Sequence, residues 1–171
     1  MPGIKAVVTS RAARRSPVTR RDRRLMGLRK NSFAISVMLL VQYGLGMGVN
    51  LYARVPAADQ GAGIIAALGR ALTSQPAVLA VHAGLGLLML VAGVSVLVRA
   101  IAARHRLAIA SSAAGLAAIA AAAFSGAAFV SGGQAAASMA MAILTGVALA
   151  CYLVNLLTTA PPARIAGAVR R

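Results

Sequence analysis

The stretch "AVLAVHAGLGLLMLVAG", residues 77–93, decides the class of fold. It contains no charged side chain, and its one polar side chain is the imidazole of His82. About 20 apolar residues in a helix are long enough to cross the roughly 30 Å of hydrocarbon in a bilayer. The stretch therefore predicts a transmembrane helix, and it raises the question of what a histidine does inside one.

The composition extends this prediction to the whole chain. Hydrophobic residues make up 60% of the 171 residues, charged residues make up 12%, and the mean hydropathy is +0.81. The apolar runs do not alternate with polar residues as the strands of a membrane barrel do, and a helix satisfies its own backbone polar groups in lipid. We predict an all-α, polytopic membrane protein with a bundle of four transmembrane helices.

The apolar runs place the four spans at about 32–53, 77–98, 107–130 and 135–158. Residues 31–158 then form one transmembrane domain between a basic, disordered tail (1–30) and a second basic tail (159–171). In the external loop, 54–76, apolar residues recur at helical spacing and predict a short amphipathic helix on the outer surface. These residues are Ile64, Ile65, Leu68 and Leu72.

The positions of the Lys and Arg residues predict the orientation. With four spans, sixteen of the eighteen lie on one side of the membrane, and only Arg54 and Arg70 lie on the other. Basic residues are concentrated in cytoplasmic segments. We therefore expect a plasma-membrane protein with both termini in the cytoplasm (N-in/C-in).

The formal net charge of +16 also raises the possibility of a nucleic-acid-binding tail. Residues 1–30, however, contain no aromatic side chain that would stack on bases. The tail is instead predicted to set the topology and to bind anionic lipid head groups, with no nucleic acid as a partner. A start of translation at Met26 instead of Met1 is an alternative.

Close helix packing is predicted from small residues. Span three carries a ridge of Ala118, Ala122 and Gly126, and span one contains Gly44 and Gly48 at GxxxG spacing. The glycine pair leaves open a homo-oligomer or a partner within a membrane complex.

A polar cluster is predicted in the outer half of the bundle. His82 lies about 8 Å inside the outer end of span two, at the level of Met47, Ser125 and Met141 in the other spans. Ionisable residues inside a membrane are candidates for function. The candidates for ligand binding or packing are His82, Gln42, Asn50, Ser125 and Ser138.

Three roles for His82 stay open. In the first role it is an axial ligand of haem b, and in the second it forms a hydrogen bond with a quinone. In the third it is a neutral side chain that braces the bundle. The other histidine, His105, lies in the cytoplasmic loop on the opposite side. Bis-histidine ligation within one chain is therefore excluded, and a haem would need a methionine (Met47, Met139 or Met141) or a second copy of the chain.

Several activities lack the residues that they need. The two acidic residues, Asp22 and Asp59, flank the spans, so a carboxylate-driven antiporter is not expected. The chain shows no Ser/His/Asp set, metal-ligand spacing or phosphate-binding loop, and the lone Cys151 has no disulfide partner in the chain. We predict no catalytic residues and no bound metal.

Three segments carry a family resemblance: "LLVQYGLGMGVNLYA" (39–53), "AVHAGLGLLML" (80–90) and "FSGAAFVSGGQAAASMAMA" (124–142). They resemble small four-span membrane proteins of high-GC actinobacteria, and the likeness covers most of residues 30–158. The resemblance implies no known activity. It directs attention to Gln42, Asn50, His82, Gln134 and Ser138 without assigning them roles.

The sequence thus leaves three functional hypotheses. The first is a structural or accessory membrane protein in which polar residues brace the bundle. The second is a small redox module that binds haem or quinone at His82. The third is a subunit of a channel or transporter for small molecules.

Overall fold

The computed structural model of the chain describes residues 19–52, 63–73, 77–132 and 135–160. Five helices follow one another along these residues: α1 (Arg20–Tyr52), α2 (Ile64–Thr73), α3 (Ala77–Ala103), α4 (Arg106–Gly132) and α5 (Ala135–Thr158). Each helix except α2 is long and apolar enough to cross a membrane. The prediction of an all-helical protein with four helices long and apolar enough to cross a membrane is confirmed. Residues 1–18 and 161–171 of the predicted tails, and Gln134, lie outside the described residues.

The four long helices form a ring in the order α1, α3, α4, α5. Helix α1 packs against α3 and α5, and α4 packs against the same two helices. Each helix therefore runs antiparallel to both of its neighbours. The short helix α2 contacts α3 and α4, and we call the end of the bundle where α3 begins the α2 end. The opposite end, where Arg104 and Arg106 lie, is the arginine end.

Helix α1 begins at Arg20, well before the predicted start at Ser32. The hydroxyl of Thr19 accepts a bond from the Asp22 backbone N–H (3.2 Å), and an Asp22 carboxylate oxygen accepts one from the Thr19 N–H (3.0 Å). This reciprocal pair is a capping box. Further along, Leu28 is 0% exposed, and the Arg24 guanidinium donates to the carbonyl of Ala102 at 2.8 Å. The prediction of a disordered tail is therefore wrong for residues 20–30, because capping and tertiary packing extend the helix.

The turn between α3 and α4 uses an arginine where glycine is usual. Arg104 has a φ of 53°. The two backbone hydrogen bonds of a Schellman motif end α3 here: the Arg104 N–H donates to the carbonyl of Ile101 (2.9 Å), and the His105 N–H donates to the carbonyl of Ala100 (3.5 Å). The imidazole Nδ1 of His105 then accepts a bond from the backbone N–H of Ala108 at 3.2 Å. His105 therefore caps the first turn of α4.

The small residues of α4 are buried as predicted. Ala118 and Ala122 lie in the bundle interior, and a Cβ at Gly126 would lie 3.1 Å from the sulfur of Met141 on α5. Gly44 and Gly48, in contrast, have no atom within 4 Å of their Cβ positions. The GxxxG pair of α1 thus contributes no close contact to the described bundle.

Candidate functional site

A cavity of about 230 Å³ lies between the four long helices toward the α2 end. Its wall is mostly apolar, and α2 contributes Leu72 to it. The polar side chains that line it are Gln42, Tyr43, His82, Ser138 and Thr145. For scale, an apolar cavity of about 150 Å³ in another protein binds benzene. The space here therefore suits one substituted six-membered ring.

Gln42 and His82 form the polar wall of the cavity. The amide nitrogen Nε2 of Gln42 donates to the backbone carbonyl of His82 at 2.9 Å and lies 3.3 Å from the imidazole Nε2. Gln42 is 8% exposed. Because a carbonyl oxygen only accepts hydrogen bonds, the Gln42 atom beside it must be the amide nitrogen, which settles the orientation of the amide.

This orientation also settles the tautomer of His82. An amide nitrogen has no acceptor capacity, so the imidazole Nε2 that faces it must be the acceptor. In the neutral ring the proton then resides on Nδ1. Nδ1 of His82 and the side-chain oxygen Oε1 of Gln42 are both buried, and neither has a hydrogen-bond partner among the residues that the structure describes. Both residues line the cavity, so this pair is the most polar part of its wall.

A glycine of α1 makes room for the imidazole of this pair. A Cβ at Gly46, one turn after Gln42, would lie 3.2 Å from Cε1 of His82. A Cβ at Gly86, one turn after His82, would lie 3.4 Å from Nε2 of Gln42. A Cβ at Gly46 would crowd the imidazole, whereas a Cβ at Gly86 would make an ordinary van der Waals contact with the amide. The small size of Gly46 therefore leaves room for His82 against α1.

The structure brings together only part of the predicted polar cluster. Gln42, His82 and Ser138 line the cavity, whereas Ser125 is half-buried on α4 and is not among the lining residues. The side chain of Asn50 lies outside the described part of the chain. Each residue of a helix is rotated by about 100° from the one before it. Gly126 therefore faces the cavity, and Ser125 at nearly the same depth does not.

The cavity reaches the outer surface of the bundle. Tyr43, Met47 and Leu87 line it, yet each is about half exposed. On a membrane-spanning bundle, exposed apolar side chains at this depth contact lipid. An apolar molecule dissolved in the bilayer would therefore reach the cavity without passing through water.

The residues fit a haem poorly. Met47 and Met141, two of the candidate second axial ligands, line the cavity, but Met139 is mostly exposed. The His82 Nε2 faces the Gln42 amide, and a space sized for one ring does not hold a macrocycle of four pyrroles. Within the described ranges, no three His, Cys, Asp or Glu side chains are grouped to hold a metal ion. The site therefore suits a single quinone-sized ring better than a haem.

A second polar cluster, which the sequence analysis missed, lies toward the arginine end. Asn155 of α5 is 0% exposed. Its Oδ1 accepts a bond from the Ser111 hydroxyl at 2.6 Å, and its Nδ2 donates to the Ser112 hydroxyl at 2.9 Å. Asn155 stands alone in an apolar run, and a lone asparagine does not reveal which helix it faces. Both polar side-chain atoms of Asn155 are paired with serine hydroxyls of α4. This cluster therefore stabilises the packing of α4 against α5.

Comparisons of the chain with protein-family models, with curated proteins and with solved structures found no match. The resemblance to actinobacterial four-span proteins stays a prediction.

Proposed function

We propose that this protein binds a lipid-soluble ring compound of the quinone class in the cavity beside Gln42 and His82. The observation that carries the proposal is an apolar space of about 230 Å³ with Gln42 and His82 in its wall. Within the described part of the chain, Gln42 Oε1 and His82 Nδ1 are buried without a hydrogen-bond partner. Binding sites for small molecules are typically apolar clefts with a few convergent polar groups. A quinone or quinol has this character, since its ring is apolar and its oxygens form hydrogen bonds.

The packing of the other half of the bundle favours binding over conduction. Ile35, Val96 and Tyr152 fill the interior toward the arginine end, each at most 1% exposed. A channel subunit would need a polar or hydrated path through this region. The half-exposed Tyr43, Met47 and Leu87 instead favour entry of the ligand from the bilayer.

The proposed setting is the plasma membrane, with the arginine end in the cytoplasm. Arg99, Arg104 and Arg106 lie at or near this end, in addition to the basic N-terminal segment, and basic residues favour the cytoplasmic side. The same residues would attract anionic lipid head groups. The α2 end, with the cavity, would then lie toward the outer leaflet.

A second candidate function is structural, and one observation favours it. The bond from Gln42 Nε2 to the backbone carbonyl of His82 joins α1 to α3 at 2.9 Å. Hydrogen bonds between membrane helices contribute about 0.6 kcal/mol on average and up to about 2 kcal/mol. In this alternative, Gln42 and His82 brace the bundle of an accessory protein and the cavity has no ligand.

A cavity-filling variant separates the two candidates. Ala142 lines the cavity, and Ala142→Leu would occupy the space without altering Gln42 or His82. The matched control is Ser95→Ala, which removes an exposed hydroxyl of α3 that bonds only to the carbonyl of Val91 in its own helix. Protein purified from membranes would be extracted with organic solvent, and the extract analysed by mass spectrometry.

Under the binding proposal, a quinone or quinol accompanies the wild type and Ser95→Ala at near-equal amounts and is lost from Ala142→Leu. Purified protein that takes up no added 2-methyl-1,4-naphthoquinone or its quinol, and whose extract matches that of Ala142→Leu, would overturn the proposal. Loss of thermal stability in His82→Ala, with no ligand in any variant, would favour the structural role.

A further inference from the structure

An open groove of about 450 Å³ lies between α1 and α5 toward the arginine end. The residues that line it are Met26, Arg29, Lys30 and Phe33 of α1 and Leu156 of α5. The four residues of α1 follow one another at helical spacing (i, i+3, i+4 and i+7), so they lie on one face of the helix. None of these five residues lines the cavity beside Gln42 and His82, so the groove is a separate site.

The groove combines a basic surface with an apolar one along α1. Arg29 and Lys30 are exposed, and they are the last charged residues before the uncharged run 31–52. Basic residues at the end of a membrane span lie at the level of the lipid head groups. Phe33 is 61% exposed and lies one helical turn further along α1, about 5 Å deeper. The groove thus presents positive charge at the depth of lipid phosphates and an aromatic ring at the depth where acyl chains begin.

No described acidic side chain complements Arg29 and Lys30 at the groove. The acidic residues of the chain are Asp22 and Asp59. The carboxylate of Asp22 bonds to Thr19 at the start of α1, about two turns before Arg29. Asp59 follows α1 in the sequence, after this helix has crossed to the α2 end. The groove is therefore complementary to an anion from outside the chain.

Two other arginines at the same end contact the protein instead. The guanidinium of Arg24 donates to the carbonyl of Ala102 on α3 at 2.8 Å. Nη1 of Arg99, also on α3, lies 3.2 Å from the Cβ position of Gly27 on α1. These contacts join α1 to α3. The groove residues lie on the opposite face of α1, which is turned toward α5, so their charge is available to a ligand.

We propose that this groove binds one phospholipid with an anionic head group, from the leaflet at the arginine end. Basic pockets between membrane helices bind the head groups of anionic lipids. The lipid phosphate would pair with Arg29 and Lys30, and an acyl chain would lie along Phe33 and Leu156. Such a site differs from the general attraction of basic segments to a membrane, because it is saturable and requires both the head group and the chain. The proposal is independent of what the cavity toward the α2 end binds.

Two phospholipids with identical acyl chains test the proposal. Dioleoylphosphatidylglycerol has a net negative charge, whereas dioleoylphosphatidylcholine is zwitterionic. The full-length protein, delipidated in detergent, would be titrated with each lipid, and native mass spectrometry would give the number of bound lipids and their dissociation constants. The wild type should bind one phosphatidylglycerol about tenfold or more tighter than phosphatidylcholine, since two basic residues act on its net charge.

A pair of double variants separates the groove from the overall charge of the protein. Arg29→Gln/Lys30→Gln should reduce the preference for phosphatidylglycerol to near unity. The matched control, Arg104→Gln/Arg106→Gln, removes two exposed charges at the same end from residues that do not line the groove, so it should keep the preference of the wild type. The single variants Arg29→Gln and Lys30→Gln should give intermediate preferences, and they decide the question if the double variant fails to fold.

A soluble head-group analogue distinguishes a lipid from a free phosphate. Glycerol 3-phosphate carries the anionic group without acyl chains, so an excess of it should not displace the bound lipid. Displacement would mean that the site binds a phosphate group alone, and it would overturn the proposal. Equal affinity of the wild type for the two lipids would do the same, as would equal losses in the groove variant and its control. These outcomes leave the binding of a quinone to be decided separately by Ala142→Leu.

Discussion

The ring of Tyr152 lies directly against Gly115. A Cβ at Gly115 would stand 2.9 Å from Cε2 and 3.1 Å from Cζ of the ring, and a Cβ at Gly93 would stand 3.0 Å from the tyrosine oxygen. Tyr152 is 0% exposed. One aromatic side chain of α5 thus occupies the space left by a glycine of α4 and a glycine of α3. This contact ties three of the four long helices together.

Gly115→Ala should therefore destabilise the bundle by about 1–3 kcal/mol, because the added methyl group overlaps a ring that has no room to move. Thermal unfolding in detergent would measure the change. The matched control is Gly146→Ala on α5, whose Cβ position has no atom within 4 Å. The control should be neutral or stabilising by up to about 1 kcal/mol, since alanine favours helix. Equal melting temperatures for the two variants would contradict the packing described.

Asn155→Ala should also destabilise the protein, by about 1–3 kcal/mol, because the hydroxyls of Ser111 and Ser112 lose a buried partner. The double variant Asn155→Ala/Ser112→Ala should lose less free energy of unfolding than the two single variants lose together, since the two residues share one hydrogen bond. Melting of the four proteins in the same detergent gives the coupling energy. Strict additivity would argue against the bond.

Arg104→Gly should stabilise the turn between α3 and α4. Arg104 has a φ of 53°, and left-handed backbone costs an ordinary residue about 1–2 kcal/mol more than it costs glycine. Because glycine also adds entropy to the unfolded chain, the net gain should be up to about 1 kcal/mol. Arg104→Ala removes the same charge but keeps the Cβ in the left-handed backbone, so it should not show this gain. A melting temperature for Arg104→Gly no higher than that of Arg104→Ala would refute this reasoning.

The proposed topology predicts that both termini face the cytoplasm. Green fluorescent protein fused to either terminus should fluoresce, and alkaline phosphatase fused at either terminus should be inactive. Phosphatase inserted after residue 60, between α1 and α2, should be active and serves as the positive control. Activity at one terminus and fluorescence at the other would mean an odd number of spans.

Hydropathy alone was sufficient to locate most of the helices. The predicted fourth span, 135–158, coincides with α5, and the predicted start of the second span at Ala77 is the start of α3. Charged or polar residues end each apolar run, so the local sequence sets these boundaries. The start of α1 was misplaced because Thr19, Asp22 and Leu28 stabilise a helix in a segment whose basic composition suggests a tail.

The candidate site was only partly predictable. The depth of His82 and Gln42 follows from counting along the spans at 1.5 Å per residue. Their contact depends on the rotation of α1 and α3 about their own axes. In helices that are apolar on nearly every face, periodicity carries no signal for that rotation. For the same reason Ser125 was grouped with the site, and Asn155 was overlooked.

By itself the sequence determined that four long apolar helices exist, where most of them begin, and that one end of the bundle is rich in arginine. These properties depend on the transfer of side chains into an apolar environment and on local charge, and both are readable residue by residue. Only the tertiary structure decided which polar atoms meet. Gly46 leaves room for the imidazole of His82, the Gln42 amide turns toward His82, and a cavity remains beside the pair.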